Sequence, residues 1–250
     1  MNKTLVSKVP EATIIFWIIK GLTTGMGETT SDYLVNRFDA VIVVILAFLG
    51  FVAALVLQIS RRRYIPWVYW LTVIMVSIFG TMAADALHVL LGIPYIISTT
   101  FYLVVLALIF ITWYRYEKTL SIHSIYTRRR EGFYWATILA TFALGTAAGD
   151  MTATTMHLGY FSSGLLFAAL IVIPIVGYWK FKFNGIFAFW FAYILTRPIG
   201  ASFADWMGVS QARSGLGLGT GLISLILLIL IVALVGYVTI THEDVIDSKN

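Results

Sequence analysis

Cysteine is absent from this sequence of 250 residues, charged residues make up only 12% of it, and proline occurs five times. The lack of cysteine excludes disulfides and thiolate metal sites, but says little about compartment. The lack of charge, set against 60% hydrophobic residues, excludes an ordinary soluble domain. Enzyme signatures are missing too: there is no HExxH, no G-x-S-x-G, no phosphate-binding loop and no CxxC. No catalytic residue is therefore expected, and the chain does not read as an enzyme. The alternating glycines from Gly215 to Gly219 resemble a nucleotide loop only superficially, because they follow no strand and open an apolar run.

What fills the chain is apolar sequence in runs of roughly 20 residues, the length an α-helix needs to cross a hydrocarbon core of about 30 Å. Eight runs lie near 11–34, 39–59, 66–91, 95–114, 131–157, 162–179, 185–207 and 217–240. The expected fold is an all-α polytopic membrane protein of eight transmembrane helices, one transmembrane domain over 1–250, with the lipid bilayer as its partner. The first run carries Glu28 and Asp32 and has no small-residue cleavage site, so it reads as a helix and not as a removable signal. Of the 17 Lys and Arg, 13 lie on one side of an eight-helix count, in Lys3, Lys8, Arg61–Arg63, the 115–130 connection, Lys180, Lys182 and Lys249. Only Arg37 and Arg213 lie in the opposite loops. By the positive-inside rule both termini are expected in the cytoplasm of a bacterial inner membrane. Topology thus accounts for the net charge of +5, and no nucleic-acid partner is needed.

Inside the runs one pattern returns: Trp, nine residues, Gly, four residues, Asp. Its copies are Trp17/Gly27/Asp32, Trp70/Gly80/Asp85, Trp135/Gly145/Asp150 and Trp190/Gly200/Asp205. From composition, such a triple follows a given Trp by chance about two times in a thousand, so four copies are a repeat. The Asp-to-Asp intervals of 53, 65 and 55 residues divide the chain into two similar halves joined at 115–130. Each repeat pairs a motif-bearing helix with a plainer one, over approximately 9–60, 64–116, 129–180 and 184–240. Two spans per unit give all four the same orientation, a parallel repeat about an axis along the membrane normal. The opening Val9-Pro10-Glu11 through Trp17, then Gly27-Glu28 and Asp32, with the fourfold spacing, resembles a bacterial family of small membrane-anchored proteins built from tandem repeats of unknown function. The resemblance covers nearly the whole chain and implies a multispanning bacterial membrane protein; it brings no activity with it.

The functional signal lies in acids within the expected spans: Glu28, Asp32, Asp85, Asp150 and Asp205. An ionisable residue in the hydrocarbon costs at least ~2.5–3.5 kcal/mol at mid-helix and marks a pathway or a partner. One turn before each Asp, on the same face, stand Glu28, Thr81, Thr146 and Ala201. Oxygen ligands of this kind suit hard cations, and His88, three residues after Asp85, would favour manganese or zinc. Against the five acids only Lys20 and Arg197 are basic within the spans, an excess that bound cations or protons would offset. Arg197 is expected to balance one of the acids and Lys20 to snorkel to the interface.

Plainer readings of the same residues stand beside this one. The acids could be interfacial helix ends, or structural partners of neighbouring helices. Gly27, Gly80, Gly145 and Gly200 read as close-packing sites, and Trp17, Trp70, Trp135 and Trp190 as interface anchors. The segment around Gly25 and Gly27 either packs tightly or is locally unwound, and Arg197-Pro198 should kink its helix. Pro10 is expected in the first helical turn. His157 divides between an outer-loop residue and a ligand. The sequence reading is therefore a transporter of a small cation, in first place a divalent metal bound as substrate by Asp32, Asp85, Asp150, Asp205 and Glu28. His88, Thr81 and Thr146 would assist. The alternatives are a proton-coupled carrier of a small organic solute, and a scaffold that transports nothing; a homo-oligomer is compatible with each.

Overall fold

A computed structural model describes residues 7–89 and 91–245. Lys3 and Lys249, counted in the charge bias, lie outside the described residues. Thr13 accepts the Phe16 N–H and caps α1 (Ile14–Arg37), so Pro10 precedes the helix and does not open its first turn. Asp39 caps α2 (Ala40–Ser60) through the Ile42 N–H, and Pro66 begins α3 (Pro66–Val89), where a missing N–H costs nothing. Gly92, at φ +62°, turns the chain into α4 (Tyr95–Glu117). Thr127 caps α5 (Arg128–Asp150), and at Met151–Thr155 the coil widens into a π turn. The expected run 162–179 is instead two helices, α6 (Gly159–Leu170) and α7 (Val172–Phe181). Pro174 has no N–H to give the Leu170 carbonyl, which explains the break. Asn184 caps α8 (Gly185–Gly208), which continues through Pro198, and α9 (Thr220–Thr241) closes the fold.

The four motif helices form a closed ring in which α1 packs on α3, α3 on α5, α5 on α8 and α8 on α1. The plainer helices stand outside, each against the motif helix of the following repeat. Thus α2 packs on α3, α4 on α5, α6 and α7 on α8, and α9 returns to α1. The repeat glycines explain the closeness. A Cβ on Gly27 would overlap Ser77, one on Gly80 would meet Phe142 Cβ at 2.9 Å, one on Gly145 would overlap Arg197, and one on Gly200 would overlap Thr24. In all four cases the neighbour stands three residues before the next repeat's glycine, and the fourth contact leads back to the first repeat. The chain is therefore a cyclic pseudo-fourfold bundle. Around Gly25 and Gly27, α1 is an unbroken helix in close contact with α3 and α8, so tight packing holds there and unwinding does not.

Burial follows the same division. α5 is covered along most of its length, whereas α2, α4 and α9 expose rows of residues such as Leu46, Leu49, Phe101, Leu108, Leu225 and Ile229. Among the described residues, six helical segments are long and apolar enough to cross a membrane: 40–60, 66–88, 95–117, 159–181, 185–208 and 220–241. These apolar faces belong to a membrane-embedded protein. The more polar α1 and α5 are not among the six; they lie in the ring, insulated by the others. Three of the four motif tryptophans depart from expectation, while Trp17 is only partly buried. Trp70, Trp135 and Trp190 are buried and pack in an aromatic cluster with Phe16, Tyr69, Tyr134 and Tyr193 at one end of the ring, so their rings face the interior and not the lipid.

Candidate ion site inside the ring

Arg197 is fully buried, and its position within α8 turns its side chain toward the other three motif helices. Its Nη2 lies 2.5 Å from Glu28 Oε2, 2.5 Å from Thr81 Oγ1 and 2.6 Å from Thr146 Oγ1, so its two N–H groups are shared among three acceptors. These acceptors occupy one repeat position, the residue after the motif glycine, on α1, α3 and α5. The fourth repeat has Ala201 there, a side chain small enough to leave room for the guanidinium arriving from one turn below. The hydroxyls can accept because their own protons are used elsewhere: Thr81 donates to the Ser77 carbonyl at 2.9 Å, and Thr146 to that of Phe142 at 3.2 Å. Both threonines, expected as ligands of a metal, are thus engaged by the protein's own cation. Glu28 is 3% exposed and Arg197 0%, so the pair is almost wholly removed from water and each partner depends on the other.

One turn beyond lie the repeat aspartates. Glu28, Asp32 and Asp85 each offer a carboxylate oxygen, and these oxygens lie within 4.8 Å of one another. The donor set is entirely oxygen, as hard cations require. Asp150 and Asp205 hold the same register position on α5 and α8 but stand outside that group. Asp150 ends α5 at the π turn, an irregularity often found at functional positions. Asp205 is buried, and its Oδ1 has no protein partner among the described residues. His88 is not a member of the group either. Its Nδ1 pairs with the Ile93 carbonyl at 2.9 Å and its ring stacks on Tyr95 at 3.7 Å. His157, left-handed at φ +56°, lines a pocket of about 300 Å³ with Thr154, Tyr160 and Arg213, and Arg213 donates to the Tyr160 hydroxyl at 2.8 Å.

Lys20 departs most from its expected place. It is 1% exposed, with Nζ 4.2 Å from the centre of the Phe142 ring and 4.3 Å from that of Tyr193. A lysine near a helix end ordinarily snorkels, but this one points into the ring. The useful signal was the residue seven before each glycine: Lys20, Val73, Ile138 and Tyr193 are all buried. That layer is recognisable only once the four copies are aligned around a closed ring.

The chain matches a family model described as "Repeat of Unknown Function (DUF347)" four times in tandem, at residues 15–64, 68–119, 133–183 and 188–244. Comparison with curated proteins and with solved structures returned no match. Since the four matches together cover most of the chain, this protein belongs to that repeat family.

Proposed function

We propose that this protein transports a small cation, in first place a divalent metal ion, across a bacterial inner membrane through a ring of eight spans with both termini in the cytoplasm. One observation carries the reading: Glu28, Asp32 and Asp85, from α1 and α3, converge to within 4.8 Å beside a buried guanidinium that competes for Glu28. Three carboxylates at that separation repel one another unless a cation or protons intervene. Arg197 is then a tethered counter-ion. Without a bound ion it neutralises Glu28; an arriving divalent ion takes Glu28 and the two aspartates, while Thr81 and Thr146 retain the guanidinium. Asp150 and Asp205 supply further carboxylates on the opposite helices. Six of the eight spans have the necessary length and hydropathy outright, and the polar α1 and α5 cross inside them. Reporter fusions at Asn250 and within 206–214 should read opposite sides of the membrane; matching signals would remove the eight-span topology.

The decisive experiment is thermal unfolding of the purified protein across a panel of divalent ions, joined to flux into proteoliposomes. An ion that binds only the native state stabilises it by RT ln(1 + [L]/Kd), about 2.7 kcal/mol at a hundredfold excess over Kd. The expected result is stabilisation by one or two hard divalent ions, lost in Asp85→Asn together with flux while folded yield is kept. A flat panel overturns the metal reading and leaves the acids as proton sites of a solute carrier. Loss of folding in both Asp85→Asn and Asp150→Asn would instead favour a scaffold.

A further inference from the structure

On the other side of the Arg197–Glu28 pair, the ring contains buried donors without acceptors. Nη2 of Arg197 takes all three acceptors described above, whereas its Nε and Nη1 have no protein acceptor among the described residues. The same holds for Lys20 Nζ and the Tyr193 hydroxyl. These groups are neighbours around one ring. Lys20 Nζ lies 4.2 Å and Arg197 Cζ 5.4 Å from the centre of Phe142, and Lys20 lies 4.3 Å from the centre of Tyr193. The layer has no carboxylate of its own. Its other members at the repeat positions of Lys20 and Arg197 are Val73, Ile138, Thr24 and Ser77, and the two hydroxyls donate to the carbonyls of Gly21 and Thr23. Glu28 cannot serve Lys20 as well. The two are eight residues apart on α1, about 12 Å at 1.5 Å per residue, and Arg197 already holds Glu28.

At this layer Glu28 is the one carboxylate within hydrogen-bond reach of Arg197 among the described residues, and the repeat aspartates stand one turn farther along the ring. A buried donor left without an acceptor is costly, and Lys20 Nζ, Arg197 Nε and Nη1 and the Tyr193 hydroxyl are all such donors among the described residues. We propose that a monovalent inorganic anion of chloride size binds between Lys20 and Arg197, beside Phe142 and the Tyr193 hydroxyl. A halide suits such a place because it accepts several N–H and O–H donors without demanding fixed directions. The anion site stands on the unmatched donors alone. One consequence rests on the cation reading: an ion that takes Glu28 from Arg197 frees further donors, so cation and anion should each tighten the other's binding.

The test is thermal unfolding of the purified protein, free of divalent ions, as sodium chloride or bromide replaces sodium gluconate at constant ionic strength. The expected result is a saturable rise in Tm with either halide, absent in Lys20→Met and retained in Lys20→Arg. Equal curves for chloride and gluconate in the wild-type protein would overturn the proposal, as would an unchanged half-saturating chloride concentration in Lys20→Met. Should Lys20→Met fail to fold, crystals of the wild-type protein in bromide decide it. Anomalous density between Lys20 and Arg197 supports the site, and its absence at saturating bromide rejects it. A divalent-ion panel run in gluconate tests the cation reading separately, so either idea can fail while the other survives.

Discussion

Arg197 and Glu28 illustrate how a buried ion pair differs from its separate halves. Removing one partner strands the other's charge in the ring, which typically costs about 3–5 kcal/mol, whereas replacing both with neutral groups of similar size costs far less. Glu28→Gln and Arg197→Met should each lower unfolding stability by several kcal/mol, and the double variant should recover much of the loss. Strictly additive losses would mean that the two side chains act independently. Where the first and last segments meet, a different carboxyl has a measurable pH signature. Asp244 accepts the Tyr64 hydroxyl; burial raises its pKa, and the hydrogen bond from Tyr64 opposes that rise without cancelling it. A carboxyl raised in the folded state favours the protonated form there. Its contribution to stability is complete below the ~3.9 of an unfolded Asp and is lost as pH climbs through the raised value. The Tm of the wild-type protein relative to Asp244→Asn should therefore fall as pH rises above about 4, and a constant difference would show that this carboxyl does not titrate with folding.

At the scale of single helices, the glycines divide by what stands opposite. Gly132 and Gly145 both belong to α5, yet a Cβ at Gly132 meets nothing within 4 Å while one at Gly145 overlaps Arg197 and reaches Pro198 at 3.0 Å. Gly145→Ala should cost roughly 1–3 kcal/mol as an overpacked contact. Gly132→Ala should be neutral or stabilising by about 0.5–1 kcal/mol, because alanine restricts the unfolded chain and prefers the helix. Similar Tm shifts for the two would contradict the ring contacts. The Trp/Gly/Asp spacing made the four motif helices and their close-packing glycines legible in the sequence, since a fixed spacing on a helix fixes a face. What the spacing did not carry is which helix each face meets. The reach of Arg197 to Glu28, Thr81 and Thr146 depends on the cyclic order, and that order is a property of packing between repeats. Lys20 and three of the motif tryptophans were misplaced for a related reason: near a helix end, composition alone does not distinguish a side chain facing lipid from one facing the ring.

The molecule as a whole is a ring whose starting point is arbitrary. The last helix packs on the first, Thr30 and Ser224 bring their hydroxyl oxygens to 2.5 Å across that seam, and the Glu11 N–H donates to the Asp244 carbonyl at 2.9 Å. The first and last segments thus meet at one end of the bundle, and the seam between repeats four and one is built like the other three. A circular permutant in which Asn250 is joined to Met1 and the chain is opened between Arg62 and Arg63 moves the first repeat to the end. The Tyr64 N–H donates to the Ser7 carbonyl at 3.1 Å, so the new termini open at the end of the bundle where the first segment lies. The sequence has no cysteine, so Thr30→Cys with Ser224→Cys reports on the seam without background. The pair should form a disulfide on mild oxidation in both the native order and the permutant, and the permutant should unfold within a few degrees of the native order. If the disulfide forms in the native order but the permutant neither folds nor cross-links, the seam depends on where the chain begins, and the four repeats are not equivalent members of a cycle.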